Sequence, residues 1–342
     1  MTGELVKTER LWSIDAFRGF TMICMLGEGF GMRHVAQFEH VSWNIAIPGD
    51  LHFWDLIQPF FMFIVGTVMP ISFARRWAGG ETWRRSLMHV LRRSALLILL
   101  GLFARSVQAQ RPVLDLINVL AQIAFTYLVA FLLLRQPWPV QGGVALGLLA
   151  IHWAIFYSYG PDPWAKDANL GWYLDRLLLH KTWSGSYATI NCLSSAANTI
   201  FGMMAGELLA SGLAWTRKAR ILAATGVLGV AVGFALSPWI PLNKKIWTAS
   251  FALYSTGMTL VALLLFYWIF DVIKKRRWAR VFIIVGSNSI FIYVFHETLH
   301  RYMNYVAVRL MNLPVPAAAL MILGVEIAVC WVLYRRRVFL RV

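Results

Sequence analysis

The sequence predicts an all-α polytopic membrane protein, about ten transmembrane helices in one bundle with both termini cytoplasmic. Three observations carry this. Hydrophobic residues make up 59% of the 342 and charged residues only 14%, where a soluble domain carries about 25% charged residues. Apolar runs of about 20 residues recur, the length that crosses a hydrocarbon core of about 30 Å. The Lys and Arg residues behind the net charge of +16 sit in short clusters between those runs, as the positive-inside rule produces. That placement excludes nucleic acid as the reason for the charge. No stretch is left over for a soluble domain, so 1–342 reads as a single domain.

The first span, 12–30, carries Asp15 and Arg18 near its start. No small-residue cleavage site precedes a mature start, so this run is expected to be a retained span. Asp15 and Arg18 are three apart, share a helix face and are expected to pair. The polar segment 33–53 follows. The second span, 54–75, contains Pro59 and Pro70, which membrane helices tolerate when neighbours re-satisfy the backbone. Beyond Arg75, Arg76, Arg84, Arg85, Arg92 and Arg93 come spans at 94–108 and 114–134, then, after Arg135, a fifth at 140–159. The longest polar segment, 160–190, separates it from the sixth, 191–213. Spans at 221–239, 248–270, 281–295 and 314–334 complete the set, the last followed by Arg335, Arg336 and Arg337. With the N-terminus inside and strict alternation, inner segments hold roughly twice the Lys and Arg of outer ones. His40, Lys244, Lys245 and His296 then share the outer face. Cys24, Cys192 and Cys330 lie in or beside apolar runs with no CxxC spacing, which fits neither a disulfide framework nor a zinc site; no metal is expected.

Chemistry concentrates around Glu39-His40-Val41-Ser42-Trp43-Asn44, with Asp55 opening the next apolar run. An imidazole with a carboxylate nearby can move a proton; the plainer reading is a helix cap or interfacial packing. Three further stretches stand out: SIDAFRG (13–19), PLNKKIWTASF (241–251) and GSNSIFIYVFHE (286–297). Together with FEHVSWN (38–44) and DLIQPFFMFIVG (55–66), they resemble, in order and approximate spacing over nearly the whole chain, the transmembrane acyltransferases of the heparan-α-glucosaminide N-acetyltransferase type. The likeness is in particular to bacterial relatives without the N-terminal lumenal domain, so a bacterial inner (plasma) membrane is the expected location.

The resemblance implies that acetyl-CoA on the cytoplasmic side donates its acetyl group to a sugar amine or hydroxyl on the far side. It places the essential histidine at His40. It also implies a polar residue about a dozen positions earlier, where this chain has Glu28 rather than the asparagine of the animal enzyme. Asp55 would hold the His40 tautomer, and Trp43, Asn44, Asn288 and Lys244 are candidate oxyanion donors, with Asn243, His296 and Glu297 nearby in matching stretches. His40 as general base and His40 as an acylated intermediate both remain open.

Each residue also has a structural alternative. Asn288 serves equally as interhelical glue, His296 and Glu297 as interfacial caps, and Lys244 as a loop charge. Arg18, Arg75, Arg92 and Arg93 suit the phosphates of CoA, although the positive-inside rule explains the inner clusters by itself. The expected partners are acetyl-CoA, a sugar or glycan acceptor and membrane lipid, with a homodimer left open. A multi-span transporter of a small polar solute or glycan precursor is the competing function, and a structural membrane subunit the third.

Overall fold

The computed structural model describes residues 11–32, 51–114, 116–180 and 189–339. The described residues are helical, with no strand among them. In order they form α1 (Trp12–Gly27), a 3₁₀ turn (Glu28–Gly31), α2 (Phe53–Ala78), α3 (Trp83–Ala109), α4 (Val119–Leu133), α5 (Trp138–Tyr157) and α6 (Leu170–Leu179). Then follow α7 (Asn191–Ala210), α8 (Trp215–Leu236), α9 (Ala249–Tyr267), α10 (Ala279–Ser287), α11 (Ser289–Tyr305) and α12 (Val315–Arg335). Among the described residues, six helices are long and apolar enough to cross a membrane, or seven if the bent pair α10–α11 is one span. Each of the ten expected runs contains helix, but α1 and α4 are short and α7 is too polar to meet the same criterion.

Local chemistry starts the helices. The Asp271 carboxylate accepts from the backbone N–H groups of Trp12 (2.9 Å) and Ser13 (3.1 Å), capping α1 from a distant segment. This puts negative charge where the helix dipole favours it. Asn118 caps α4 by accepting from Ala121 N at 2.8 Å, and Asn169 caps α6 through Trp172 N. The expected Asp15–Arg18 pair forms at 3.0 Å, and α2 runs through Pro59 and Pro70 without a break.

α7 is the centre of the bundle, packed against α2, α4, α5 and α9. Its polar residues Asn191, Ser194, Ser195, Asn198 and Thr199 are all buried, so they face protein rather than lipid. Asn198 uses its side chain fully. It donates to Ala252 O, Ser255 Oγ and Thr256 Oγ1 and accepts from the indole N–H of Trp247. α8 sits at the rim, with Val227, Leu228 and Phe234 outward, as a lipid-facing helix requires.

The ninth expected span, 281–295, is not one straight helix. α10 and α11 meet at a bend of 73°. Asn288 occupies the break with φ −122 and ψ 34, and its Nδ2 donates to Val338 O at 3.1 Å. An apolar run looks continuous in sequence, whereas the break falls where a side chain bonds a distant backbone carbonyl.

Candidate functional site

The segment 241–247 between α8 and α9 has little regular structure, yet it is held firmly. Asn243 Oδ1 accepts from the backbone N–H groups of Lys245 (2.8 Å) and Ile246 (3.3 Å), an Asx-type turn. Thr248 Oγ1 donates to Pro241 O at 2.6 Å. Asn191 Nδ2 donates to Lys245 O at 2.7 Å. Trp247, with φ 56, is anchored on Asn198 at the bundle centre. These bonds turn the half-buried Lys244 toward α2, where its Nζ lies 3.8 Å from Asp55 Oδ1. Asp55 is buried and accepts from His52 N across the first turn of α2. Burial lowers the Lys244 ammonium to about 8; Asp55 opposes that shift and Lys245 adds to it.

Lys244 lines a cavity of about 190 Å³ at this end of the bundle, together with Trp54, Gln58, Tyr293, His296 and Glu297. His296 is buried, and its Nδ1 is 2.8 Å from Oε1 of Glu326 on α12. Glu297 is gripped by Gln108 of α3, whose amide bonds both its carboxylate and its backbone carbonyl. An ammonium, an imidazole and a carboxylate thus border one small space, walled by aromatic and apolar side chains.

A second cavity of about 90 Å³ lies deeper, between Arg18, Arg93, Tyr127 and Ser289 among others. Arg93 lies 4.7 Å over the Tyr127 ring and reaches its hydroxyl at 3.4 Å. The two cavities share α2, α4 and α11 as walls. Along these helices they are only a few residues apart: Gln58 and Phe61, Val119 and Leu120, Tyr293 and Ile290. At 1.5 Å per residue about one helical turn separates them. A hydrogen bond of 2.6 Å from Gln58 to Gln122 ties α2 to α4 at that level.

Of the residues singled out from sequence, Lys244, His296 and Glu297 come together, with Asp55 behind Lys244. Arg18 and Arg93 meet at the deeper cavity, whereas Arg75 and Arg92 are exposed. Asn243 spends its side-chain oxygen on the turn that carries Lys244. Asn288 lies at the α10–α11 break beside Val338, away from the Lys244 cavity. Glu28 falls in the 3₁₀ turn after α1. His40, Trp43 and Asn44 lie outside the described residues. Sequence reasoning missed Glu326, Gln58, Gln122 and Gln108. Glu326 had a signal: it is the single acid in the apolar run 315–335, and an ionisable residue inside a span marks function by default.

The chain matches a family model described as heparan-alpha-glucosaminide N-acetyltransferase, catalytic, over residues 10–230. It is 26% identical to the human heparan-alpha-glucosaminide N-acetyltransferase, in an alignment covering 97% of this chain and 60% of that protein. With the mouse protein of the same name the identity is 25%, over 86% of this chain and 54% of the relative. The chain therefore spans little more than half the length of these relatives.

Proposed function

Because the chain belongs to the heparan-alpha-glucosaminide N-acetyltransferase catalytic family, a family of transmembrane acetyltransferases, we propose that it takes an acetyl group from acetyl-CoA on the cytoplasmic side. It delivers that group to an amine or hydroxyl of a sugar or glycan on the outer, periplasmic side of a bacterial inner membrane. The observation that carries this reading is the pair of separate cavities stacked about one helical turn apart along α2, α4 and α11, which mark the route we assign to an acyl-pantetheine arm. Arg75 and Arg92 stand exposed for the phosphates, Arg18 and Arg93 border the route, and Lys244, His296 and Glu297 border its far end. Residues 1–342 act as one catalytic unit.

A protonated amine or a hydroxyl attacks a thioester only after it loses a proton. His40 takes that proton, and Asp55 and Glu28 lie in the segments that flank it in sequence. The carbonyl oxygen gains charge as the bond forms; the Lys244 ammonium supplies a fixed positive charge at the cavity, and Trp43 and Asn44 supply donors. Purified protein given radiolabelled acetyl-CoA and a panel of amino sugars should release free CoA and label a sugar. Solute uptake into liposomes without CoA release would instead establish a transporter.

The pH profile of kcat/KM should be bell-shaped. Below about pH 6.5 the His40 imidazole is charged and accepts no proton. Above about pH 8 the Lys244 ammonium is neutralised and the positive charge at the cavity is lost. Lys244→Arg, which stays charged, should change the alkaline limb; a limb unchanged in that variant takes Lys244 out of the reaction.

Sidedness has its own test. A reporter fused after Arg337, or placed between Arg75 and Arg92, should read cytoplasmic, and one near Asp167 external. A cytoplasmic signal at Asp167 defeats the ten-span alternation and the outer placement of the Lys244 cavity.

A further inference from the structure

Glu326 has no evident structural reason to be where it is. It sits near the middle of α12, fully buried, the single acid of that helix. Its Oε2 has no hydrogen-bond partner among the described residues. Joining α11 to α12 needs no charge, since Ser, Asn or a small apolar contact serves between membrane helices. An acid in that setting is costly and marks a functional site by default. What it touches is the Nδ1 of His296, at 2.8 Å, and His296 lines the Lys244 cavity.

We propose that Glu326 is a positioning residue for His296, and that the two act as one unit that hands a proton to the departing CoA sulfur. This rests on the acetyl transfer proposed above. A carboxylate on Nδ1 sets the ring's orientation, and Nε2 is the nitrogen to which we assign the proton transfer. It also supplies the negative charge that an imidazolium requires in an apolar surrounding. Among the described residues, the charged or titratable groups around the ring include Glu297, His300 and Tyr293 on its own helix, Lys244 from 241–247 with Asp55 behind it, and Arg105 on α3 near Tyr293. The acceptor's lone pair forms the new bond to the acetyl carbon. The C–S bond breaks and its pair goes to sulfur. The Nε2 proton of the imidazolium converts thiolate to thiol, and the proton that His40 takes from the acceptor restores the imidazolium through water. One proton leaves the acceptor and one ends on CoA.

The test uses the full chain in detergent with acetyl-CoA and an amino sugar. Glu326→Gln should lower kcat about 10- to 100-fold while the KM for acetyl-CoA stays within about twofold, the range expected for a proton-transfer partner. Glu326→Asp should recover part of the loss. His296→Ala combined with Glu326→Ala should be no slower than His296→Ala alone, since residues acting as a unit are not additive. Wild-type kcat in Glu326→Gln, or additive losses in the double variant, overturns the proposal. A second arm needs no turnover. In protein labelled with ¹⁵N-histidine, the ring resonances that His296→Ala removes should report hydrogen on Nδ1 and should move in Glu326→Gln. Unmoved resonances overturn the proposal as well. If the wild type releases no CoA, the acetyl-transfer reading falls, and the ¹⁵N arm still decides whether Glu326 positions the ring.

Discussion

Replacing His40 with alanine should lower acetyl transfer by about 10²–10⁴-fold, the usual cost of removing a general base, while leaving the protein folded and able to bind CoA. The acceptor must lose a proton as the thioester is attacked, and His40 lies in the stretch with the closest family likeness, inside the matched residues 10–230. His296→Ala should cost less, because a thiolate departs without a proton more readily than an amine attacks with one. The measurement is a single-turnover rate with labelled acetyl-CoA for both variants, with retained CoA binding read from protection against thermal unfolding. A near-normal rate for His40→Ala beside a dead His296→Ala would move the base to α11.

The other large effect is on folding. α2 and α7 approach backbone to backbone. A Cβ on Gly202 would run into the Phe63 carbonyl, one on Gly206 into Thr67, and one on Gly66 into Thr199. Small residues at such a seam let membrane helices pack closely. Gly202→Leu should therefore force apart the helices that carry Asp55 and Asn198, costing about 3 kcal/mol or more, at or above the top of the usual overpacking range. Gly143→Leu, on an exposed face of α5 with open space around it, is the control and should be tolerated. The readout is the yield of monodisperse protein and its unfolding temperature in detergent; equal values for the two variants would sink the close-approach account.

Much of this was legible from residue order. Hydrophobic length and the basic clusters locate ten helix-bearing runs but not α6, which lies in the segment read as polar, and i,i+3 spacing anticipates the Asp15–Arg18 pair that forms at 3.0 Å. Single-sequence reading failed where a contact joins residues far apart in the chain. At the 73° break Asn288 bonds Val338, fifty residues on. α7 has no stretch as apolar as a membrane span needs, because its polar side chains meet Trp247, Ala252 and Ser255 rather than lipid. Hydropathy averages along the chain and does not see which partner lies across it.

By itself, then, the sequence determined the solvent this protein lives in, because apolar length is a local property, and the family, because its motifs are short and contiguous. Which side chains share a cavity was decided by tertiary structure alone. Lys244 meets Asp55 only because Asn243 turns the intervening loop and Asn198 anchors Trp247. His296 meets Glu326 only because α11 and α12 pack side by side. A hydrogen bond or ion pair acts over about 3–4 Å of space, and that distance is set by packing rather than by separation along the chain.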